Sequence, residues 1–398
     1  MEFVLGTEKT LDIIKDLPPK KPFSDEAIEF CQIVSKQLMG SSLCREYPDI
    51  MTLGFWLRKG SLLEYKKTFC TDSLFHVGRG VIFHVAPSNV PVNFSYSLFT
   101  GLLCGNCNVV RIPSKDFPQI RIIVDAIKAA IEEFEEYEDR ICLVRYGHEQ
   151  KNNDALSHIC DVRVIWGGDS TIEEIRKSPL APRSTEVTFS DRYSLAVIDK
   201  DYYERLDDKK KEQTARSFYN DTYLSDQNAC TSPRLVYWYG DKNDLDEART
   251  EFWDRLWNIV KKEYSFQDIQ GIDKLTKRYI LATKTAGTIY TRNNNAHYDN
   301  RLVIVDADIS TVDKKLFSNS GYFLECIGED ISDLYTLCND NRAQTIGYLG
   351  DRAIFDKLIN LGVKGVDRIV PIGKTMDFDF IWDGYNLFDS FTRKISIK

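Results

Sequence analysis

The feature that most constrains this chain is a regular alternation of short apolar runs with amphipathic segments. Buried strands are predicted at residues 80–86, 109–112, 141–144 and 162–165, and helices at 24–40, 91–103 and 119–134. Repeated β-α-β units predict a mainly parallel sheet covered by helices on both faces. Because such sheets bind ligands beyond the carboxyl ends of their strands, we expect chemistry in the turns after residues 86, 112 and 166.

A second α/β unit is predicted after about residue 190. Its strands are expected at 193–198, 235–239, 302–305, 322–323 and 368–370, and its helices at 206–224, 243–263 and 351–361. The chain has 398 residues, which exceeds one ordinary core and suits two domains. We predict domains at 1–190 and 191–370 with a cleft between them, and a C-terminal segment at 371–398 that packs on the core or on a second subunit.

The charge balance excludes a nucleic-acid surface. The chain has 52 Lys and Arg against 60 Asp and Glu, a formal net charge of −8, whereas a nucleic-acid interface needs a basic face to neutralise phosphates. The triplet 209–211 is basic but is flanked by acidic residues, so we interpret it as a solvated helix face. A phosphate-bearing ligand must therefore be held by a local pocket.

Location, cysteine chemistry and metal binding are also constrained. No apolar run reaches the roughly 18 residues of a membrane span, and the acidic N-terminus does not resemble a signal peptide. We therefore expect a cytoplasmic protein whose ten cysteines are reduced thiols. Cys104 and Cys107 form a Cys-x-x-Cys without a second pair, so we predict no metal site. His76 and His84 flank a buried strand and are expected to be core or turn residues.

Two polar segments follow predicted strands of the first unit. Residues 86–91 end a strand and begin a helix, and Asn89 there can aim its amide over the sheet edge. The alternative is a turn Asn that contacts no ligand. Arg111 and Lys115 straddle the carboxyl end of the next strand, where an adenosine phosphate can dock. Their alternative interpretation is two exposed basic residues on a loop.

Two further segments have a composition typical of functional sites. A strand at 162–165 leads into Gly167-Gly168 and a helix, which together form an anion site from unpaired backbone N–H groups. Ser170 is alternatively a plain N-cap of that helix. Cys230 lies on the polar turn 225–234 between a helix and a strand, whereas structural cysteines prefer apolar surroundings. We therefore consider Cys230 a candidate nucleophile.

The order of these motifs is more specific than any one of them. Residues 88–93, 226–230, 365–373 and 382–385 resemble the LuxC-type acyl-CoA reductases within the aldehyde dehydrogenase superfamily, and the likeness covers about residues 76–390. The resemblance implies an α/β, aldehyde-dehydrogenase-like fold. Residues 1–190 are then a Rossmann-type cofactor domain, and residues 191–370 are an α/β catalytic domain that carries the thiol.

The resemblance also implies a reaction. Cys230 attacks an acyl thioester and holds the acyl group, and a hydride from NADPH then releases the aldehyde. The Asn89 side-chain amide and the Cys230 backbone N–H resemble the oxyanion hole of the family. Thr188 falls where hydrolytic relatives have a water-activating Glu, and whether the nearby Glu186 acts as a base is left open. A site without that base favours exchange with a thiol over hydrolysis.

The cofactor expected from the resemblance is NADPH. Lys115, with Arg111 nearby, falls where NAD-dependent relatives often have a ribose-binding Glu, and these cations attract a 2′-phosphate. Residues 168–170 (Gly168, Asp169 and Ser170) are expected to meet the pyrophosphate. The residue that holds the nicotinamide ribose is left unassigned, because Gly321 falls at that position and Glu325 lies four residues further on.

Two other functions remain open at this stage. One is a Cys-dependent acyltransferase that does not reduce its thioester, and the other is a catalytically silent binding subunit of the same fold. The expected partners are an acyl-CoA or an acyl-carrier thioester, and an acyl-transferring partner enzyme is left open. We also expect a homo-oligomer, because relatives in the superfamily usually form one. The sequence leaves the identity of the acyl group undetermined.

Overall fold

The computed structural model describes residues 1–41, 46–71, 75–87, 90–284 and 298–398. This part of the chain divides into two compact units. Unit 1 comprises residues 1–191 and 378–398, and unit 2 comprises residues 192–377. The roles predicted for the two domains stay predictions.

Strands and helices alternate through most of both units. The strands are β1 (Glu2–Leu5), β2 (Phe75–Gly78), β3 (Val81–Val85), β4 (Cys107–Arg111), β5 (Ile141–Arg145), β6 (Val162–Trp166), β7 (Thr185–Phe189), β8 (Tyr193–Asp199), β9 (Pro233–Tyr239), β10 (Val303–Asp306), β11 (Tyr322–Gly328), β12 (Ala343–Leu349), β13 (Arg368–Pro371), β14 (Ile381–Trp382), β15 (Tyr385–Asn386) and β16 (Thr392–Ile395).

The helices of unit 1 are α1 (Glu8–Ile14), α2 (Asp25–Gly40), α3 (Pro48–Trp56), α4 (Lys59–Phe69), α5 (Asn93–Leu103), α6 (Pro118–Glu133), α7 (Gln150–Ile159) and α8 (Asp169–Arg176). Those of unit 2 are α9 (Lys200–Glu204), α10 (Asp208–Thr222), α11 (Asp246–Glu263), α12 (Asp268–Lys284), α13 (Tyr335–Cys338) and α14 (Phe355–Asn360), and α15 (Leu387–Phe391) returns to unit 1. In this described part of the chain, no helix combines the length and the apolar character of a membrane span.

Unit 1 is built on a six-stranded sheet in the order β1-β5-β4-β3-β6-β7. All pairs are parallel except β1 with β5. Alternate residues of each strand enter two different apolar clusters, so Ile82 packs with α2, α5 and α6, while Phe83 packs towards α7 and α8. This alternation is what a sheet covered on both faces requires.

The C-terminal segment completes the apolar core of unit 1. From residue 378 onward its aromatic side chains are buried in the same cluster as those of α2 and α5. Phe380 is fully buried, with its ring centroid 5.4 Å from Phe23 and 5.3 Å from Phe69. Strand β16 pairs with β2, and Arg79 donates to the Ser390 carbonyl at 2.7 Å.

Unit 2 is built on a fully parallel sheet in the order β10-β11-β9-β8-β12-β13. Helices α10 and α11 cover one face, and α13 and α14 cover the other. Strand β12 was not predicted, because the polar residues Gln344 and Thr345 interrupt its apolar pattern although both are buried. Strand β7 and helix α12 were also missed.

Candidate active site

The cysteines of the protein differ sharply in exposure. Of the nine that the structure describes, seven are buried, while Cys70 is exposed and Cys230 is partly exposed. Burial raises the pKa of the Cys107 thiol to about 11 and that of Cys142 to about 12, so these thiols stay protonated at neutral pH. Cys230 lies just before β9, at the amino edge of the unit 2 sheet.

The turn that carries Cys230 contains two consecutive residues in the left-handed backbone region. Asp226 has φ 51° and Gln227 has φ 54°, although neither is glycine. Such conformations cost on the order of 1–3 kcal/mol each and persist only where the surroundings impose them. Backbone hydrogen bonds of 2.8 Å from Gln227 to Thr222 and from Asn228 to Ser225 hold this turn.

The buried Gln227 side chain joins this turn to the start of β11. Its Oε1 accepts hydrogen bonds from the Gly321 N–H at 2.6 Å and the Tyr322 N–H at 3.1 Å. Its Nε2 donates to the Pro233 carbonyl at 2.9 Å. Since a buried amide with several partners is held in one orientation, Gln227 fixes the path of the chain into Cys230. Nothing in the sequence pattern predicts this role for Gln227.

Further contacts hold the rest of the turn. Ser194 on β8 donates to the Cys230 carbonyl at 2.7 Å. The Tyr264 hydroxyl donates to Asp226 Oδ1 at 2.6 Å, and the Ser320 N–H donates to the Asp226 carbonyl at 2.9 Å. The Cys230 backbone is therefore anchored from β8, and the turn before it is anchored by the segments after α11 and before β11.

The unit 1 sheet changes direction at β3. The chain passes from β3 to β4 and β5 on one side, and then crosses to β6 on the other side. Ligands of parallel α/β sheets bind at such a switch point, beyond the carboxyl ends of the strands. Val85 at the end of β3 is in register with Arg111 on β4 and Ile165 on β6, so three of the predicted motifs begin on one sheet edge.

Gly168 is the residue of this edge best suited to a phosphate. It is the N-cap of α8, with Asp169 as the first helical residue, so Ser170 is not the N-cap. A Cβ atom built on Gly168 meets nothing within 4 Å, which leaves space for close approach to the backbone. The first N–H groups of a helix lack partners within the helix, so this end fits a dinucleotide pyrophosphate. Asp169 and Ser170 are both exposed.

The two predicted cations have different surroundings. Arg111 is half-buried, donates to the Gly147 carbonyl at 2.7 Å and lies over the Tyr146 ring, 4.7 Å from its centroid. Lys115 is exposed, and its Nζ lies 4.8 Å from the Phe117 ring centroid. Arg111 is the last residue of β4, and Lys115 follows it by four residues.

Two carboxylates considered above, one as a base and one near the position of the ribose ligand, are bound by cations. Glu186 on β7 accepts hydrogen bonds from Arg163 at 2.5 and 2.8 Å and from Arg176 at 2.7 Å, so both carboxylate oxygens are occupied. Glu325 is buried, pairs with Arg249 at 2.5 Å and accepts indole N–H bonds from two tryptophans, Trp238 and Trp253. Neither carboxylate is available as a base or as a ribose ligand in these positions.

Asn89 lies outside the described residues, so its place in the site stays a prediction. His84 is a core residue as predicted, with Nδ1 2.7 Å from Ser97 Oγ and Nε2 3.0 Å from Asn108 Oδ1. Burial lowers the pKa of His84 to about 4, which leaves it neutral at pH 7. Within the described ranges, no cluster of three or more His, Cys, Asp or Glu could hold a metal ion.

Comparisons with known proteins identify the family of this chain. A family model described as "Acyl-CoA reductase (LuxC)" matches residues 8–394. The long-chain acyl-protein thioester reductase of Aliivibrio fischeri is 24% identical over 299 residues, which is 74% of this chain and 58% of that protein. This chain therefore spans less than two thirds of that relative.

Solved structures of low sequence identity share the fold. Aldehyde dehydrogenase 21 from Physcomitrella patens superposes with a TM-score of 0.65 at 12% identity, covering 98% of this chain and 90% of that one. The glyceraldehyde-3-phosphate dehydrogenase GapN from Methanocaldococcus jannaschii, complexed with NADP, gives 0.63 at 12% identity, covering 98% and 91%. The predicted aldehyde-dehydrogenase-like α/β fold is confirmed.

Proposed function

Because the chain belongs to the acyl-CoA reductase (LuxC) family, we propose that it reduces an acyl thioester to the aldehyde through a thioester on Cys230. The observation that carries this proposal is the turn 225–232. It presents a partly exposed thiol on a backbone held by several independent contacts, while most other described thiols are buried. The predicted residues of this family motif thus meet the requirements of a positioned nucleophile.

The reaction has two stages on the same sulfur. The Cys230 thiolate adds to the thioester carbonyl carbon, the bond from that carbon to the carrier sulfur breaks, and the carrier leaves as a thiolate that takes a proton from solvent. NADPH, when bound, supplies a hydride. The resulting hemithioacetal loses its C–S bond and releases the aldehyde, which restores the thiol. Each addition places negative charge on the former carbonyl oxygen.

We assign the stabilisation of that charge to the Asn89 amide and the Cys230 backbone N–H. Removing one donor of this kind typically raises a barrier by about 3–4 kcal/mol. Gln227 and Ser194 contribute by holding the backbone of the nucleophile, since one precedes it and the other binds its carbonyl. These are positioning roles, because neither side chain forms a bond to the acyl group.

The NADPH preference is proposed from charge. Arg111 ends β4 on the sheet edge where Gly168 leaves space for a pyrophosphate, and Lys115 follows four residues later. A 2′-phosphate is favoured beside two cations, whereas a ribose-binding carboxylate repels it. The structure of the similar M. jannaschii dehydrogenase is complexed with NADP, which agrees with this cofactor class.

The state of Glu186 favours transfer over hydrolysis. A carboxylate that accepts hydrogen bonds from Arg163 and Arg176 through both oxygens is poorly placed to take a proton from water. An acyl group on Cys230 then persists until a thiol or a hydride reaches it. The homo-oligomer, the cytoplasmic location, the acyl-transferring partner and the choice between CoA and a carrier protein stay predictions.

The experiment is mass spectrometry of the intact protein after exposure to a panel of acyl-CoAs without cofactor. We expect one acyl adduct that maps to Cys230 and is discharged as aldehyde when NADPH is added. Cys230→Ser should remove the thioester adduct. Cys70→Ser is the matched control, because Cys70 is an exposed cysteine outside this turn, and the adduct on Cys230 should be unchanged in this variant.

Two outcomes contradict the proposal. An adduct that passes to water or to another nucleophile and never yields aldehyde with NADPH indicates an acyltransferase. Absence of any adduct across chain lengths, in a protein that keeps its cellular role after Cys230→Ser, indicates a silent binding subunit.

A further inference from the structure

Helix α12 exposes apolar side chains and buries a basic one, which is the reverse of the usual arrangement in a surface helix. Five of its large apolar side chains are exposed, including Ile272 at 59% and Tyr279 at 65%, while Lys274 is only 2% exposed. Arg278 is one helical turn after Lys274 and is half-buried. Because burial of a cation is unfavourable unless an anion or strong acceptor compensates it, the inner face of α12 calls for a compensating group.

The protein supplies only part of that compensation. Lys274 Nζ donates to the Asn300 carbonyl at 2.5 Å and lies 5.1 Å from the Phe266 ring centroid. Across the described ranges, neither Lys274 nor Arg278 forms an ion pair with a carboxylate. Burial lowers the pKa of Lys274 to about 7, and the more distant Asp299 and Asp226 oppose this shift only partly.

Both cations line one pocket of about 240 Å³. Asp268 is the carboxylate among its lining residues, and it is exposed. The pocket therefore presents two cations against one solvated anion, with apolar walls beside them. Its other lining residues are Phe266, Gly271, Ile272, Leu275, Asn300 and Val303.

The pocket lies at the same sheet edge as Cys230. Val303 begins β10 and is in register with Tyr322, the first residue of β11, whose other neighbour is the start of β9. Two strand spacings separate β10 from β9, about 10 Å. Gln270 on α12 also donates to the Tyr264 hydroxyl at 3.2 Å, and that hydroxyl binds Asp226 in the Cys230 turn.

We propose that this pocket binds the phosphate at the end of the 4′-phosphopantetheine arm of the acyl donor. The inference rests on the proposed thioester chemistry and names the part of the substrate that unit 2 recognises. Coenzyme A and acyl carrier proteins share this phosphate and arm, so the chemistry is common to both sources. The arm is a flexible chain, and along the sheet edge it has to cross the two strand spacings, about 10 Å, that separate β10 from β9.

The first test compares octanoyl-4′-phosphopantetheine with octanoyl-pantetheine, which differ only by the phosphate. We expect the wild type to show the lower KM for the phosphorylated substrate. Lys274→Met and Arg278→Met should each raise that KM about tenfold, the loss of one charge-assisted contact, and leave the KM for octanoyl-pantetheine unchanged. Lys277→Met is the matched control, because Lys277 donates to the Lys315 carbonyl and does not line the pocket.

A second test does not depend on turnover. Binding of 4′-phosphopantetheine to Cys230→Ser protein is measured by calorimetry, with urea unfolding to confirm that each variant is folded. Binding that is lost in Lys274→Met and kept in Lys277→Met supports the site. Equal binding in both variants, or none in the parent protein, overturns it.

The two proposals fail separately. If no acyl thioester yields aldehyde, the proposed function fails while calorimetry still tests the pocket. If reduction does proceed, octanoyl-CoA and an octanoyl carrier protein are compared as donors to identify the source of the phosphate. A KM increase in Lys274→Met with either donor supports the site. An unchanged KM with both donors overturns it even if reduction proceeds.

Discussion

At the scale of single residues, the candidate site depends on side chains that act through the backbone. Cys230 is recognisable in the sequence because a cysteine on a polar turn is unusual. Gln227 carries no such signal, because its acceptors and donors lie 6 to 95 residues further along the chain. The two left-handed residues before Asn228 are also unpredictable, since Asp and Gln adopt that region only where contacts impose it.

Gln227→Met tests this positioning. The substitution leaves the Gly321 and Tyr322 N–H groups without their acceptor, which we expect to cost about 2–4 kcal/mol of unfolding free energy. Turnover should fall because the Cys230 backbone is released. Urea unfolding measures the loss of unfolding free energy, and the rate of thiol alkylation measures the change at Cys230.

Asn319→Ala provides the comparison, because its amide contacts Asn228 Oδ1 at an exposed position. Its unfolding free energy should stay within about 0.5 kcal/mol of the wild type. A similar loss in both variants would show that Gln227 has no special role.

Asp221 is expected to make the free energy of unfolding depend on pH. Burial raises the pKa of Asp221 to about 7, although its carboxylate accepts hydrogen bonds from the Gly373 and Thr375 N–H groups. An unfolded Asp titrates near 4, so the folded protein binds the extra proton between about pH 4 and pH 7. The free energy of unfolding should therefore fall as the pH rises through this window.

The measurement is urea unfolding at intervals from pH 5 to pH 8. Asp221→Asn cannot titrate at this position, so it should lack the part of the slope that belongs to Asp221. Parallel curves for the two proteins across the window would exclude this assignment.

At the scale of elements, the sequence predicts the buried strands well and the peripheral helices poorly. Strands β3 to β6 are mostly apolar and almost wholly buried, as parallel strands covered on both faces are expected to be. Strand β12 escapes prediction because two buried polar residues, Gln344 and Thr345, interrupt its apolar pattern. Helix α12 escapes because its outer face is the apolar one.

The start of α8 is the element on which the cofactor proposal depends. Gly168 has φ −64°, which any residue adopts, so Gly168→Ala should leave the unfolding free energy within about 1 kcal/mol of the wild type. The added methyl group occupies the space where a pyrophosphate approaches, so the KM for NADPH should rise about tenfold. Steady-state kinetics with varied NADPH measures this.

Gly60→Ala is the control, because a Cβ there also meets nothing within 4 Å but lies in α4, away from the sheet edge. Its KM for NADPH should be unchanged. An unchanged KM for NADPH in Gly168→Ala would show that the pyrophosphate does not bind at this position.

At the scale of the whole molecule, the last residues of the chain stabilise the unit formed by the first. Residues 378–398 return from unit 2 and fill the unit 1 core with aromatic rings. The Phe391 carbonyl accepts from Asn106 at 3.0 Å, which ties α15 to the loop before β4. Unit 1 thus needs residues 378–398, which follow unit 2 in the sequence, to complete its core.

Phe380→Ala tests this dependence. The fully buried ring contacts four aromatic side chains, so its loss should cost about 3–5 kcal/mol of unfolding free energy. Ile381→Ala, at a 41% exposed neighbour, should cost less than about 1 kcal/mol. Thermal and urea unfolding measure both, and equal costs would contradict the proposed contribution of the C-terminal segment.

The burial of most described thiols determines which of them chemical damage can reach. The proposed product is an electrophile, and the first protein that a newly released aldehyde meets is the one that made it. Since burial keeps Cys31, Cys104 and five other described cysteines protonated and out of reach, electrophilic and oxidative damage among the described cysteines should concentrate on Cys230 and Cys70. The expected sign of this damage is a loss of turnover in a protein that is still folded. A thiol reductant should reverse the early oxidation products.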